Sequence, residues 1–188
     1  MRPALFPTRL ADSAWDIPYE ELYAGGIRGL IFDIDNTLAP HGAPDDGRAE
    51  ALFSYLRAAG FRTCLLSNNR EERVAPFAGR VESAYVCRAG KPAGRGYRQA
   101  MEKMGTQTSS TVLIGDQIFT DIYGAGRLGM ERILVKPICP REEIQIVLKR
   151  IPERLVLWLY RRYSRRAEAG RRGGENRRER RICRGGKK

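Results

Sequence analysis

A chain of 188 residues, 42% of them apolar, is long enough for one compact domain with a sizeable core and too short for several. Its four cysteines (Cys64, Cys87, Cys139 and Cys183) are widely spaced, form no Cys-x-x-Cys pair and have only His41 as a histidine partner, which argues against a disulfide framework or a zinc site. The formal net charge is +12, but residues 161–188 carry +10 of it and residues 1–160 only +2, so the basic character belongs to the C-terminal tail.

Residues 1–15 are interrupted by Pro3, Pro7, Arg9 and Asp12 and lack the apolar core of a signal peptide. No stretch reaches the ~18 to 20 apolar residues of a spanning helix. The expected location is the cytoplasm, with the basic tail as a route to peripheral attachment at the inner face of the membrane. The spacing then predicts a strand near Arg28–Phe32 and a helix over Asp45–Ala59, with Leu52, Phe53 and Leu56 at core spacing and Gly60 as its stop. A strand over Phe61–Leu66, a helix near Glu71–Phe77 and a short strand near Ala84–Cys87 follow. Tyr97, Met101 and Met104 form the core stripe of another helix that ends before Gly105. Strand Thr111–Ile114, helix Thr120–Leu128, strand Arg132–Val135 and helix Arg141–Lys149 complete an alternating pattern, the signature of a parallel α/β sheet flanked by helices. The expected organisation is one domain over residues 1–160 and a disordered basic tail over residues 161–188.

Chemistry gathers at the strand ends. Leu30-Ile31-Phe32 runs into Asp33-Ile34-Asp35-Asn36-Thr37. Alternation along a strand puts residues i and i+2 on one face, so Asp33 and Asp35 are expected to act on one centre. Two carboxylates so close repel unless a cation offsets them, and Mg²⁺ is the hard ion that oxygen ligands select. After the next strand, in Ser67-Asn68-Asn69, the Ser67 hydroxyl could donate to a phosphate oxygen and would equally suit a helix N-cap. Lys91, in Ala89-Gly90-Lys91-Pro92, supplies a point charge from a turn. Gly115-Asp116 follows another β-branched strand, with Asp121 five residues beyond Asp116. All of these sit at C-terminal strand ends, where open α/β sheets bind ligands.

The Asp-x-Asp-x-Thr run, Ser67, Lys91 and Asp116, in that order, resemble the four motifs of the haloacid dehalogenase superfamily. Gly26-Ile27-Arg28-Gly29-Leu30, Ser67-Asn68-Asn69, Lys91-Pro92 and Gly115-Asp116-Gln117-Ile118-Phe119-Thr120-Asp121 are similar to the YqeG group of its subfamily IIIA phosphatases, a group related to mitochondrial phosphatidylglycerophosphate phosphatases. The resemblance implies a Rossmann-like core and an aspartyl-phosphate mechanism. Asp33 would be the nucleophile and Asp35 the general acid and base. Ser67, Asn68 and Lys91 would bind phosphate. Asp33, Asp116 and Asp35, the last through its backbone carbonyl, would hold Mg²⁺, with Thr37 bracing the loop and Asp121 supporting the metal shell or orienting Lys91.

Gly124-Ala125-Gly126-Arg127-Leu128-Gly129 matches a dinucleotide fingerprint but falls inside or at the end of a helix instead of at a strand-to-helix turn, so close helix packing explains it better. The gap after Leu38 and the 24 positions from Ser67 to Lys91 leave no room for a cap domain. An uncapped site suits a phosphomonoester presented on something large, such as an anionic phospholipid. Residues 151–160 carry apolar and interfacial aromatic residues beside arginines, which suits either a surface-lying helix or a last helix packed on the sheet. The tail could attract anionic lipid or RNA. Two alternatives stand beside the lipid phosphatase: a nucleotide, nucleic-acid or phosphoprotein phosphatase on the same site, and an RNA- or ribosome-associated binding protein with a vestigial site. The sequence leaves the oligomeric state open.

Overall fold

In a computed structural model of the chain, residues 3–40, 47–139, 153 and 155–164 are described. The chain divides into two units, Met1–Ile146 and Val147–Lys188. The first carries strands β1 (Arg9–Ala11), β2 (Gly29–Phe32), β3 (Arg62–Leu66), β4 (Ala84–Val86), β5 (Thr111–Gly115) and β6 (Glu131–Val135). Between them lie helices α1 (Tyr19–Ala24), α2 (Arg48–Ala58), α3 (Glu71–Val81), α4 (Gly94–Met104) and α5 (Tyr123–Arg127). The strands form one parallel sheet in the order β1-β6-β5-β2-β3-β4. The chain leaves β2 toward β3 on one side and returns to β5 on the other, so the strand order reverses beside β2. That reversal opens a crevice at the strand C-termini.

Strand alternation splits the core into two layers. Leu30, Phe32, Leu65, Val112 and Ile114 belong to a cluster with Leu22 of α1, Phe53 and Leu56 of α2, and Val74 and Phe77 of α3. Ile31, Cys64, Leu66 and Leu113 face the other way, into a cluster with Tyr97, Met101 and Met104 of α4 and Ala125 of α5. Buried residues thus occupy both faces, as parallel sheets require. Burial pushes the Cys64 thiol up to about 12, so it behaves as a small apolar side chain.

Several element boundaries differ from the expectation. Helix α3 continues past Phe77 to Val81, carrying Pro76 inside it. The stripe Val74, Phe77, Ala78, Val81 is buried along its whole length, and that burial outweighs one missing backbone donor. The single helix expected over Thr120–Leu128 is a π-helical turn, Ile118–Ile122, followed by the short α5. Strand β1 and helix α1 had no clear periodic signal, being three and six residues long. Strand β1 exists because β6 offers it an edge to pair with, Arg9 to Ala11 against Ile133 to Val135. The start expected for α2 at Asp45 and the helix expected over Arg141–Lys149 lie outside the described residues.

The glycines of the dinucleotide-like run have packing explanations. A Cβ added to Gly124 would collide with the Tyr97 hydroxyl and ring, and one at Gly126 with the backbone of Ala4. Neither glycine sits at a strand-to-helix turn, since β5 ends at Gly115. Gly124→Ala should therefore destabilise the fold by about 1–3 kcal/mol through overpacking. A chemical denaturation midpoint equal to that of the unsubstituted protein would show that Tyr97 yields freely and that close packing is not why glycine is needed.

Candidate active site

The site is built on the turn that follows β2. The strand stops at Phe32, so alternation does not place Asp33 and Asp35; a tight turn does. The Ile34 carbonyl accepts from the backbone N–H groups of Thr37, Leu38 and Ala39, at 3.3, 2.9 and 3.1 Å. Asn36 adopts a left-handed conformation with φ of 60°, which asparagine tolerates better than most residues. Ile34, Leu38 and Ala39 are buried and anchor the turn in the core. Asp33 and Asp35 line the same cavity of about 140 Å³, with Ser67, Asn68, Asn69 and Lys91.

Lys91 occupies the centre. Its Nζ donates to Asp33 Oδ1 and to Asp121 Oδ1, both at 2.7 Å, and all three side chains are buried. Burial acts to lower the Lys91 ammonium, but the attractions of Asp121 and Asp33 together outweigh it and hold it above the usual lysine range. Burial is also the largest influence on Asp33. It pushes the carboxyl up to about 7, with repulsion from Asp121 adding to the rise and Lys91 opposing it. Asp121 reaches this position from the π-helical turn, where the N–H groups of Asp121 and Ile122 both donate to the Gln117 carbonyl. Its second oxygen accepts the Gln117 N–H at 3.1 Å. A Cβ on Gly115 would fall 2.7 Å from the Asp121 carboxylate, so close approach requires glycine there.

Asp35 is held by a different pair. Asn69 Nδ2 donates to its Oδ2 and Arg73 Nη2 to its Oδ1, each at 2.5 Å. Neither residue was among the site residues expected from the sequence. Asn69 stood beside the expected Ser67 and Asn68, but Arg73 gave no signal: an arginine near the start of a helix reads as a solvated side chain. Only the fold brings it across to the turn after β2.

The other expected residues are placed as follows. Ser67 is buried just beyond β3, and its Oγ accepts the Asn69 N–H at 3.1 Å, leaving the hydroxyl hydrogen for a ligand. It is not a helix N-cap, because α3 begins at Glu71 with Arg70 before it. Asn68 lines the cavity as well. Its side chain accepts the Lys91 N–H at 2.7 Å and donates to the Lys91 carbonyl at 3.2 Å, clasping the lysine loop. The Thr37 hydroxyl is buried with no hydrogen-bond partner among the described residues, so it is the backbone of Thr37 that braces the turn.

Asp33, Asp116 and Asp121 each bring a carboxylate oxygen within 4.8 Å of the others, and all three are buried. Three hard oxygen donors in one buried place fit Mg²⁺. Asp121 has its two oxygens engaged by Lys91 and Gln117.

A parallel sheet with paired aspartates, a buried lysine and a further acid at its switch point defines a class of enzyme. Residues 39–129 of the chain match the haloacid dehalogenase-like hydrolase family. More particularly, the chain is 29% identical over 158 residues to the Bacillus subtilis protein named "Probable phosphatase YqeG", covering 84% of this chain and 92% of YqeG. It is 30% identical to the chloroplastic phosphatidylglycerophosphate phosphatase 1 of Chlamydomonas reinhardtii over 65% of this chain. The match to the Arabidopsis thaliana chloroplastic/mitochondrial phosphatidylglycerophosphate phosphatase 1 is also 30%, over 80% of this chain. The chain spans about half the length of these algal and plant relatives, 49% and 45%. The fold is shared with a crystal structure of a candidate beta-phosphoglucomutase from Thermotoga maritima, with a TM-score of 0.50, 12% identity, and coverage of 65% of this chain and 91% of that one. As expected, no cap domain interrupts the described fold, since Ser67 to Lys91 is filled by α3 and β4 of the sheet layer itself.

Replacing Lys91 with Met would leave Asp33 and Asp121 facing each other in a buried site. Removing one partner of such a network costs about 3–5 kcal/mol. Lys91→Met should show that loss in equilibrium unfolding, whereas a change below about 1 kcal/mol would place the lysine effectively in solvent.

Proposed function

We propose that this protein is a Mg²⁺-dependent phosphomonoester hydrolase working through an aspartyl-phosphate, with phosphatidylglycerophosphate as its substrate. The observation that carries the reading is the contrast between the two turn aspartates. Asp33 is buried against an ammonium ion, whereas Asp35 sits against Asn69 and Arg73 on the wall of the same cavity. The Lys91 ammonium fixes the orientation of Asp33 and opposes the rise that burial causes, as suits a nucleophile, while Asn69 and Arg73 hold Asp35 at the cavity wall.

In the first step an Asp33 oxygen attacks phosphorus, and the bond from phosphorus to the leaving alcohol breaks as Asp35 gives that oxygen a proton. In the second, Asp35 takes a proton from water, which attacks the same phosphorus. Inorganic phosphate departs and the Asp33 carboxylate is restored. Lys91 and the Ser67 hydroxyl face the phosphoryl oxygens as preorganised donors, while Asn68 holds Lys91 in place. Mg²⁺, held by Asp33, Asp116 and the Asp35 carbonyl, would supply further charge neutralisation at those oxygens.

The lipid substrate rests on similarity to the algal and plant phosphatases and on the absence of a cap, which leaves the cavity open to a head group carried on a surface. The +10 segment at residues 161–188 would hold the protein peripherally at the inner face of a membrane. A second reading keeps the chemistry and exchanges the substrate for a nucleotide, nucleic acid or phosphoprotein. The same basic segment favours it, since arginines attract RNA as well as lipid.

Asp35→Asn should slow hydrolysis of an alkyl phosphomonoester by about 10²- to 10⁴-fold and that of nitrophenyl phosphate much less, because a good leaving group needs little proton help. Equal losses on both would remove Asp35 as general acid. With chelator-treated protein supplied with Mg²⁺, a panel of phospholipid, nucleotide and phosphopeptide monoesters should give the highest kcat/KM for the phospholipid. A nucleotide or phosphopeptide at the top would replace that substrate, and full activity without added metal would remove the Mg²⁺ requirement.

A further inference from the structure

Half of the exposed large apolar side chains among the described residues lie on one short helix in the second unit. Residues 155–164 are helical, and Leu155, Trp158, Leu159 and Tyr163 are 59%, 51%, 44% and 40% exposed. Their spacing of three, four and eight places them on one face. Val156, Leu157, Tyr160 and Ser164, on the opposite arc, are half-buried. Within the exposed arc, the Arg162 guanidinium lies 4.8 Å over the Trp158 ring, and Arg161 flanks it. Water is a poor solvent for such a face, so it calls for an occupant.

We infer that the exposed face of helix 155–164 is a docking surface for an anionic lipid bilayer. Three features select that occupant. Leucines beside a tryptophan, with arginines able to extend their guanidinium groups toward head groups, match the interface between acyl chains and water. The arginine-rich sequence from residue 161 onward, net +10, makes a negatively charged surface the complementary one. No described helix is long and apolar enough to cross a membrane, so the helix lies along the surface.

RNA would engage the arginines and leave Leu155 and Leu159 in water. A second copy would bring another +10 segment next to the first and be repelled by it. The inference deepens the lipid-phosphatase reading and rests on it only for the purpose of docking.

The test uses the full chain sedimented with vesicles of phosphatidylcholine and phosphatidylglycerol in equal amounts, and with phosphatidylcholine alone. The unsubstituted protein should bind the anionic vesicles, lose binding as salt is raised and bind neutral vesicles weakly. L155S/W158A/L159S should lower partitioning to anionic vesicles at least about tenfold while leaving circular dichroism and nitrophenyl phosphate hydrolysis unchanged. In Trp15→Phe protein, Trp158 is the remaining tryptophan, and its fluorescence should be quenched by lipids brominated on the acyl chains. That measurement stands even where the triple variant misfolds.

Equal vesicle binding by the triple variant, absence of quenching, or a dimer in light scattering that the triple variant dissolves would each overturn the inference. So would RNA binding that displaces the vesicles and survives the triple substitution. Anionic vesicle binding with quenching but no hydrolysis of a phospholipid monoester would sustain the docking face and remove only the proposed substrate.

Discussion

The bridge from Lys91 to Asp33 and Asp121 is the interaction on which the rest of the site depends. Burying an ammonium ion or a carboxylate alone is unfavourable, yet here each is accommodated because the others are present. One lysine cannot balance two carboxylates with Asp116 close by, so the cluster retains negative charge. That residue of charge is what makes a divalent cation a fitting guest. The constraint also explains why so much surrounding structure is devoted to immobility: the Asn68 clasp on the Lys91 backbone, the Gln117 N–H on Asp121 and the small residue at Gly115 all remove freedom from the same three side chains.

The sheet delivers these groups from separate strands. Asp33 follows β2, Ser67 follows β3, Lys91 follows β4 and Asp116 follows β5, and the strand order brings all four ends to one crevice. The π-helical turn after β5 is an irregular piece, and it carries Asp121 to Lys91. Such turns occur often at functional sites because the widened backbone redirects one side chain. Asp35 stands apart from this rigid core, paired with a half-buried arginine from α3. Asp33 and Asp35 are thus held by separate sets of partners in one cavity.

The part of the site carried by strand ends was legible in the sequence because short apolar runs ending in Asp, Ser or Gly-Asp announce themselves. Asp33, Asp35, Ser67, Lys91, Asp116 and Asp121 all come together. What was not legible depends on tertiary approach. Arg73 reaches Asp35 across 38 residues of chain, and nothing local marks it. The clasp of Asn68 on the Lys91 backbone likewise has no local signal, because 23 residues separate the two. Strand β1 is too short to carry a period, and Pro76 suggests an end to a helix that the buried stripe through Val81 carries onward.

The central claim is that Asp33, held by Lys91, becomes covalently phosphorylated. Enzyme mixed with substrate, quenched in acid and reduced with borohydride converts an aspartyl-phosphate to homoserine, which peptide mass spectrometry locates. The account predicts homoserine at Asp33 and at no other aspartate, with none formed in the absence of substrate. Modification at Asp35, Asp116 or Asp121, or turnover with no homoserine at any position, would contradict it.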